Sequence, residues 1–189
     1  MPSKKRPTDE PSPRDRILLA AHALFYGQGI RATGIDRIID AASVTKVTFY
    51  RHYPSKESLV IAYLEFRHER WMQWFRESLA VNLAAGESTV DSLANTLRDW
   101  FESKDFRGCA FLNAAAEFGS THPDILKIVR DHKHDVAQCL NEVFESSHDA
   151  VGREMTVVVD GAIVHAQMGI PTEILIGAVR NLAISALAK

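Results

Sequence analysis

The stretch that decides the fold is Ala42-Ser-Val-Thr-Lys-Val-Thr-Phe-Tyr-Arg-His-Tyr-Pro-Ser-Lys-Glu-Ser-Leu59. Apolar residues at helical spacing lead up to a break at Ser43 and Val44, which predicts a short helix before it. A second helix is expected from Thr45 until just before Pro54, because proline disfavours the helical conformation in the residue that precedes it. Two short helices joined by a tight turn predict a helix-turn-helix.

The second helix of this motif has an apolar side and a polar side. Val44 and Phe49 are expected to face inward, and the other side chains are expected to face outward. In a helix-turn-helix this helix lies in the DNA major groove, where its polar side chains reach phosphates and base edges. A polar face on a short helix is also typical of a simply solvated surface, so the pattern alone leaves both interpretations open.

Residue chemistry assigns a contact to each position on the polar side. Lys46 and Lys56 suit phosphates, which add affinity without sequence information. Arg51 suits a phosphate or the edge of guanine, whereas Val47 has only a thymine methyl as a favourable target. Free N–H groups at the start of the preceding helix can also hold a phosphate. The predicted DNA-contacting residues are Thr33, Gly34, Thr45, Lys46, Val47, Thr48, Tyr50, Arg51, His52 and Lys56.

Cap signals and helical periodicity continue along the whole chain, which predicts an all-α fold of about nine helices. Ser12 with Asp15, and Thr33 with Asp36, form cap signatures for the first two helices. Further helices are expected over 56–84, 88–103, 109–118, 124–146, 151–168 and 172–188. The predicted organisation is a flexible basic arm (1–11), a helix-turn-helix DNA-binding domain (12–58) and a helical effector-binding and dimerisation domain (59–189).

Charge is distributed unevenly along the 189 residues. Residues 1–60 carry a formal charge of +4 and the remainder carries −6. This distribution favours an N-terminal domain that binds a polyanion, followed by an acidic domain with another role. No run of about 18 apolar residues and no apolar signal segment is present, so no membrane partner is expected. Cys109 and Cys139 are too few for a disulfide framework and suit a reducing compartment. The expected location is the cytoplasm.

The quoted stretch closely resembles the signature of TetR-type transcriptional regulators. In that family a short turn leads into a recognition helix ending in Leu/Phe-Tyr-x-His-Phe/Tyr, and Lys-Glu-x-Leu opens the next helix. Phe25-Tyr-Gly-Gln-Gly-Ile-Arg-Ala-Thr33 also resembles the family's loop between helices 1 and 2. Ser43 and Val47 depart from the pattern, because glycine is usual in the turn and frequent at the second position. A mildly strained or shifted turn is expected at Ser43, because serine tolerates a left-handed conformation poorly.

The resemblance implies a homodimer whose paired recognition helices bind a near-palindromic operator. The residues that it places against DNA are Thr45, Lys46, Val47, Thr48, Tyr50 and His52, with Lys56 on a phosphate. It further implies a ligand pocket enclosed by helices 4 to 7, and a four-helix bundle made by helices 8 and 9 of both subunits. The expected function is a repressor that an unidentified small-molecule effector releases from its operator.

The last two helices indicate dimerisation independently of the resemblance. Their apolar residues cover more than one face, so both helices must be buried on several sides. A symmetric dimer interface is one way to bury them, and a purely internal core is the other. The predicted interface residues are Val157, Gly161, Val164, Met168, Ile174, Leu175, Ala178 and Leu182.

Aromatic residues concentrated in the larger domain indicate a small-molecule pocket, since such sites are mostly apolar with a few polar groups. Aromatic residues at helical spacing are equally typical of an ordinary core. The candidate pocket residues are Trp71, Trp74, Phe75, Trp100, Phe111, Asn113, Glu117 and His165.

The sequence is also compatible with other functions. A metal- or thiol-responsive regulator could use the region of His132 and His134, or Cys109, on the same scaffold. Positions i and i+2 of a helix point apart, so these histidines are expected on a solvated face rather than around one metal. Cys109 is expected to be a buried, inert thiol. A helical enzyme or carrier is a further alternative, although no Gly-rich phosphate loop is present. Neither a metal nor a cofactor is expected.

Overall fold

The computed structural model describes residues 11–145 and 149–188, and the regular structure within these ranges is entirely helical. The helices are α1 (Pro13–Gln28), α2 (Ile35–Ala42), α3 (Lys46–His52), α4 (Lys56–Ala84), α5 (Thr89–Phe101), α6 (Ala110–Phe118), α7 (Pro123–Val143), α8 (Asp149–Gln167) and α9 (Thr172–Leu187). This confirms the all-α prediction. None of the helices described is both long enough and apolar enough to cross a membrane.

Backbone contacts divide the chain into two compact units, Met1–Tyr63 and Leu64–Lys189. The boundary falls inside α4, so both units contain part of this helix. In the first unit, Ile17 of α1, Ile38 of α2 and Phe49 of α3 have no exposed surface. One shared apolar core therefore holds the three short helices together.

Of the two predicted helix caps, one is confirmed and one is wrong. Ser12 caps α1, and its Oγ accepts the Asp15 N–H at 3.2 Å. Thr33 does not cap α2, which follows Gly34 and has no side-chain cap bond. The Thr33 hydroxyl instead donates to the Gly29 carbonyl at 2.8 Å, and its side chain is completely buried. It therefore satisfies a carbonyl at the end of α1 rather than an N–H group of α2.

The turn between α2 and α3 carries the backbone strain that the sequence predicted. Ser43 lies in the left-handed region, with φ 51° and ψ 50°. Its N–H donates to the Asp40 carbonyl at 3.1 Å, and the Val44 N–H donates to the Ile39 carbonyl at 3.2 Å. These two bonds form a Schellman motif, which normally has glycine at the left-handed position. Serine holds the same turn at a steric cost.

Replacing Ser43 with glycine should raise the free energy of unfolding by about 1 kcal/mol, because glycine adopts this conformation without steric cost. The control is Ser43→Ala, which keeps the Cβ and should not stabilise the protein. Urea denaturation of the two variants measures the difference. Equal stability of the glycine and alanine variants would show that the turn is not strained.

Specific contacts join the helices of the second unit. The Ser78 hydroxyl of α4 donates to the Thr96 hydroxyl of α5 at 3.1 Å. Arg180 of α9 donates to the Asp91 carboxylate of α5 at 2.8 Å. α8 lies so close to α7 at Gly152 that a side chain there would collide with the α7 backbone. Glycine at this position is therefore a requirement of helix packing.

His132 is buried in this unit, so the prediction that it lies on a solvated face was wrong. It is 2% exposed, and its ring stacks on Phe111 with centroids 3.6 Å apart. Its Nδ1 lies 3.1 Å from Nδ1 of His68 on α4. His134 is exposed, so the two histidines of α7 do point apart as expected. In the described part of the chain, no three or more His, Cys, Asp or Glu residues are grouped to hold a metal ion.

Burial lowers the pKa of His132 to about 2, with further lowering from the nearby Lys133, His68 and Arg67. Between this value and the unfolded pKa of about 6.5, only the unfolded chain binds a proton at His132. The neutral, buried His132 is therefore fully compatible with folding above about pH 6.5. Below that pH the free energy of unfolding decreases, because the unfolded chain gains stability by binding a proton.

Lowering the pH from 7 to 5 should cost about 2 kcal/mol of unfolding free energy through His132 alone. His132→Phe keeps a stacking ring and cannot titrate, so its stability should fall less over this interval. His134→Gln is the matched control and should behave as the unmodified chain does. Denaturation at both pH values measures the effect, and an unchanged pH dependence in His132→Phe would contradict it.

Candidate functional site

Two buried aromatic side chains fix the orientation of α3. Phe49 has no exposed surface, and Tyr53, directly after the helix, is 3% exposed. The Tyr53 hydroxyl donates to the Arg14 carbonyl of α1 at 3.5 Å. Burial raises the pKa of Tyr53, so the phenol stays protonated and remains a donor. The rotation of α3 about its own axis is set by these two contacts.

The opposite side of α3 faces outward. Its exposed residues are Lys46, Val47, Tyr50 and Arg51, with half-buried Thr48 and His52 beside them. Val47 is 70% exposed, so this apolar side chain contributes almost nothing to the core. Thr45 is the N-cap of α3, and its Oγ1 accepts the Thr48 N–H at 3.1 Å. The surface thus combines a cation, a guanidinium, hydroxyl groups and one methyl-bearing side chain.

The two lysines near this surface differ in their contacts. Lys46 Nζ lies 3.6 Å from the Asp36 carboxylate, and both side chains are largely exposed. Such a pair contributes little to stability, so Lys46 is available to another anion. Lys56, the first residue of α4, donates to the Arg31 carbonyl at 3.5 Å. Gly34 is exposed at the start of α2, where no side chain caps the helix.

In the second unit, three predicted pocket residues come together. Trp71 and Trp74 of α4 and Trp100 of α5 have ring centroids 5.4 to 6.1 Å apart. They line a groove of about 310 Å³, here called the tryptophan groove. Its other lining residues are Arg67, Arg70, Asp99 and Ser103. The two arginines were not predicted as pocket residues from the sequence, although they recur with the tryptophans at the spacing of one helical face.

The other predicted pocket residues do not line this groove. Phe75 is fully buried and stacks on Trp71 with centroids 4.6 Å apart, so it supports the Trp71 ring. The remaining candidates are Phe111, Asn113 and Glu117 on α6, and His165 on α8. The Asn113 side chain is occupied by a bond to the Arg107 carbonyl at 3.2 Å. Of the predicted pocket residues, Trp71, Trp74 and Trp100 therefore line the tryptophan groove, and Phe75 packs behind Trp71.

Helices α8 and α9 expose an apolar surface, here called the α8–α9 face. The large side chains Val157, Met168 and Ile174 are 72%, 69% and 63% exposed. The predicted interface residues Gly161, Val164, Ala178 and Leu182 are also exposed, whereas Leu175 is buried. The face contains an apolar groove of about 410 Å³ between the two helices, which His165 also lines.

Known proteins resemble the first unit in sequence. Residues 17–63 match the sequence model of the family described as bacterial regulatory proteins, tetR family. The transcriptional repressor KstR2 of Rhodococcus jostii is 34% identical over 83 residues, 44% of this chain and 40% of that protein. The transcriptional activator FasR of Mycolicibacterium smegmatis is 36% identical over 66 residues, 35% of this chain and 30% of that protein. The chain thus spans less than half the length of either relative.

Solved structures extend the similarity over both units. A TetR-family transcriptional regulator from Streptomyces coelicolor is 30% identical in sequence and superposes with a TM-score of 0.76. The match covers 93% of this chain and 94% of that one. The regulator CifR, solved with 26-base-pair operator DNA, is 19% identical and has a TM-score of 0.74. The match covers 94% of this chain and 98% of CifR. At this identity the similarity shows the fold alone. The relatives are regulators rather than enzymes. This chain belongs to the TetR family of DNA-binding transcriptional regulators.

Proposed function

We propose that this chain is a cytoplasmic homodimeric repressor that binds a near-palindromic operator through α3 and leaves it when a small molecule binds the second unit. The observation that carries this proposal is the outward face of α3, which Phe49 holds in a fixed rotation. A short helix that presents cationic and hydroxyl side chains from a rigid core suits the DNA major groove.

The contacts proposed for α3 differ in what they contribute. Lys46 is exposed and weakly paired, so it can hold a phosphate and add affinity for any sequence. Arg51 is exposed and can bind a phosphate or the edge of guanine. Val47 offers only methyl groups, so a thymine methyl is the favourable target. The further proposed contacts are Thr45, Thr48, Tyr50, His52, Lys56 and the backbone at Gly34. Thr33, which the sequence also predicted to contact DNA, is not among them, because it is completely buried and its N–H donates to the Ile30 carbonyl at 3.4 Å.

The α8–α9 face supports the homodimer. Soluble monomers rarely expose a continuous apolar surface of this kind, and burial against a second copy removes it from water. A twofold contact needs only one self-complementary patch, which the two helices supply. Pairing of two chains also places two α3 helices on one DNA, as a near-palindromic operator requires.

Release by an effector needs different ligand affinities in the DNA-bound and free states. The tryptophan groove is the proposed effector site, and α4 supplies Trp71 and Trp74 to it. Because α4 also continues into the first unit, it links the two units covalently. A shift of a few Å between paired recognition helices is enough to disturb a spacing of about 34 Å.

An organic effector is favoured over metal or thiol sensing. Cys109 and Cys139 are both buried, and burial raises the pKa of the Cys139 thiol. Burial keeps oxidants and metal ions away from both thiols. For Cys139 the raised pKa also lowers the fraction present as thiolate, which is the form that reacts with oxidants and binds metals. The tryptophan groove, in contrast, offers an accessible apolar surface with a few charged groups, as small-molecule sites do.

Replacing Lys46 with alanine should weaken binding to all DNA sequences and reduce the slope of log affinity against log salt by about one. Lys127→Ala is the matched control, because Lys127 also forms an exposed ion pair but lies on α7. Fluorescence anisotropy with labelled duplex between about 50 and 200 mM salt measures both. An unchanged slope in Lys46→Ala would remove this residue from the phosphate contacts.

Replacing Val157 with glutamate should convert the dimer to monomers and weaken operator binding at least tenfold, because a carboxylate buried without a partner is very unfavourable. Val81→Glu is the control, since Val81 is 67% exposed on α4, away from the α8–α9 face. Sedimentation velocity gives the oligomeric state, and gel shift gives the affinity. A dimeric Val157→Glu variant with full affinity would contradict the proposed interface.

A further inference from the structure

We propose that the tryptophan groove binds a flat, aromatic, singly charged organic anion, and that Trp71 Nε1–H is the donor that selects the anionic group. This inference rests on the proposed ligand-responsive function and names the chemical class of its effector. Three features of the groove support it, which are an unpaired indole donor, the stacking surface of the rings and the balance of charge.

The unpaired donor is the indole N–H of Trp71. This side chain is only 8% exposed, and its Nε1 is buried without a hydrogen-bond partner in the described residues. Buried N–H groups in folded proteins are nearly always paired, because an unpaired one has lost water and gained nothing. A ligand oxygen at this position would restore the missing bond. An indole N–H only donates, so the ligand must bring an acceptor.

The stacking surface comes from Trp74 and Trp100 together with Trp71. The centroids of Trp74 and Trp100 are 5.8 Å apart and the planes are inclined by 55°. Trp74 is only half-buried, so part of its ring surface is open to a ligand. Trp71 stacks on the buried Phe75, which holds it in place. Indole faces prefer flat apolar rings or cations, and the charges in the groove decide between these two.

The charge balance favours an anion over a cation. Arg67 and Arg70 contribute two guanidinium groups to the lining, and Asp99 contributes one carboxylate. The net charge of +1 attracts one negative charge and opposes a cation. A cation would also leave the Trp71 N–H without an acceptor. The volume of about 310 Å³ lies at the small end of ligand sites, which suits a molecule of one or two rings.

The test compares three probes that share one ring system and differ in charge: 1-naphthoate, 1-naphthamide and 1-naphthylmethylammonium. Calorimetric titration into the full chain should show 1-naphthoate binding at least tenfold more tightly than the cation, with the amide between them. Tighter binding of the cation, or no binding of 1-naphthoate at millimolar concentration, would overturn the proposal. In either case the chain would still bind operator DNA if the proposed function is correct, so the two failures are distinguishable.

Variants identify the selecting group. Trp71→Phe keeps an aromatic ring and removes the N–H, so it should weaken 1-naphthoate on the order of tenfold. Asp99→Asn removes the opposing carboxylate and should strengthen 1-naphthoate. Binding of the neutral amide should weaken less than binding of 1-naphthoate in Trp71→Phe, because its carbonyl oxygen also accepts from the N–H but a charged acceptor forms the stronger hydrogen bond. Equal losses of anion and amide would contradict a selecting role for the Trp71 N–H.

Discussion

Burial of one side chain, Phe49, is the constraint on which the candidate DNA-binding surface depends. α3 has only seven residues, too few to be stable as an isolated helix. Its conformation and its rotation therefore come from the core that α1 and α2 form around Phe49. With that ring inside, Lys46 and Arg51 must lie outside. The same contact that stabilises the first unit thus determines which groups the protein can offer to DNA.

In the second unit, the functional candidates are the groups that the core leaves exposed or unpaired, rather than groups positioned by one buried side chain. The α8–α9 face remains apolar and exposed, and the tryptophan groove leaves an indole N–H unpaired. Both features are unfavourable in an isolated chain, and each is relieved by a partner of defined chemistry. In the function proposed above, a second copy of the chain covers the apolar face and an aromatic anion pairs with the indole N–H. The function proposed for this unit is thus inferred from an apolar surface left exposed and a hydrogen-bond donor left unpaired.

Most of the first unit could be predicted from the sequence because its signals are local. Phe49, the turn at Ser43 and the cap at Ser12 were all predicted from neighbouring residues. Thr33 was mistaken for a cap, because a Thr-x-x-Asp spacing does not show whether the hydroxyl faces a helix start or a preceding carbonyl. His132 was missed for a related reason. It lies in a helical series with the buried Val129 and Val136, but its polarity was given more weight than its position.

Selection of DNA from a random duplex library by the full chain tests the central claim most directly, because the selection itself reveals the operator sequence. The account predicts enrichment of a near-palindrome whose half-sites lie about 10 base pairs, or a multiple of this, apart from centre to centre. It also predicts an even number of chains on each selected duplex. Failure to enrich any sequence at low salt, or a single asymmetric site bound by one chain, would contradict it.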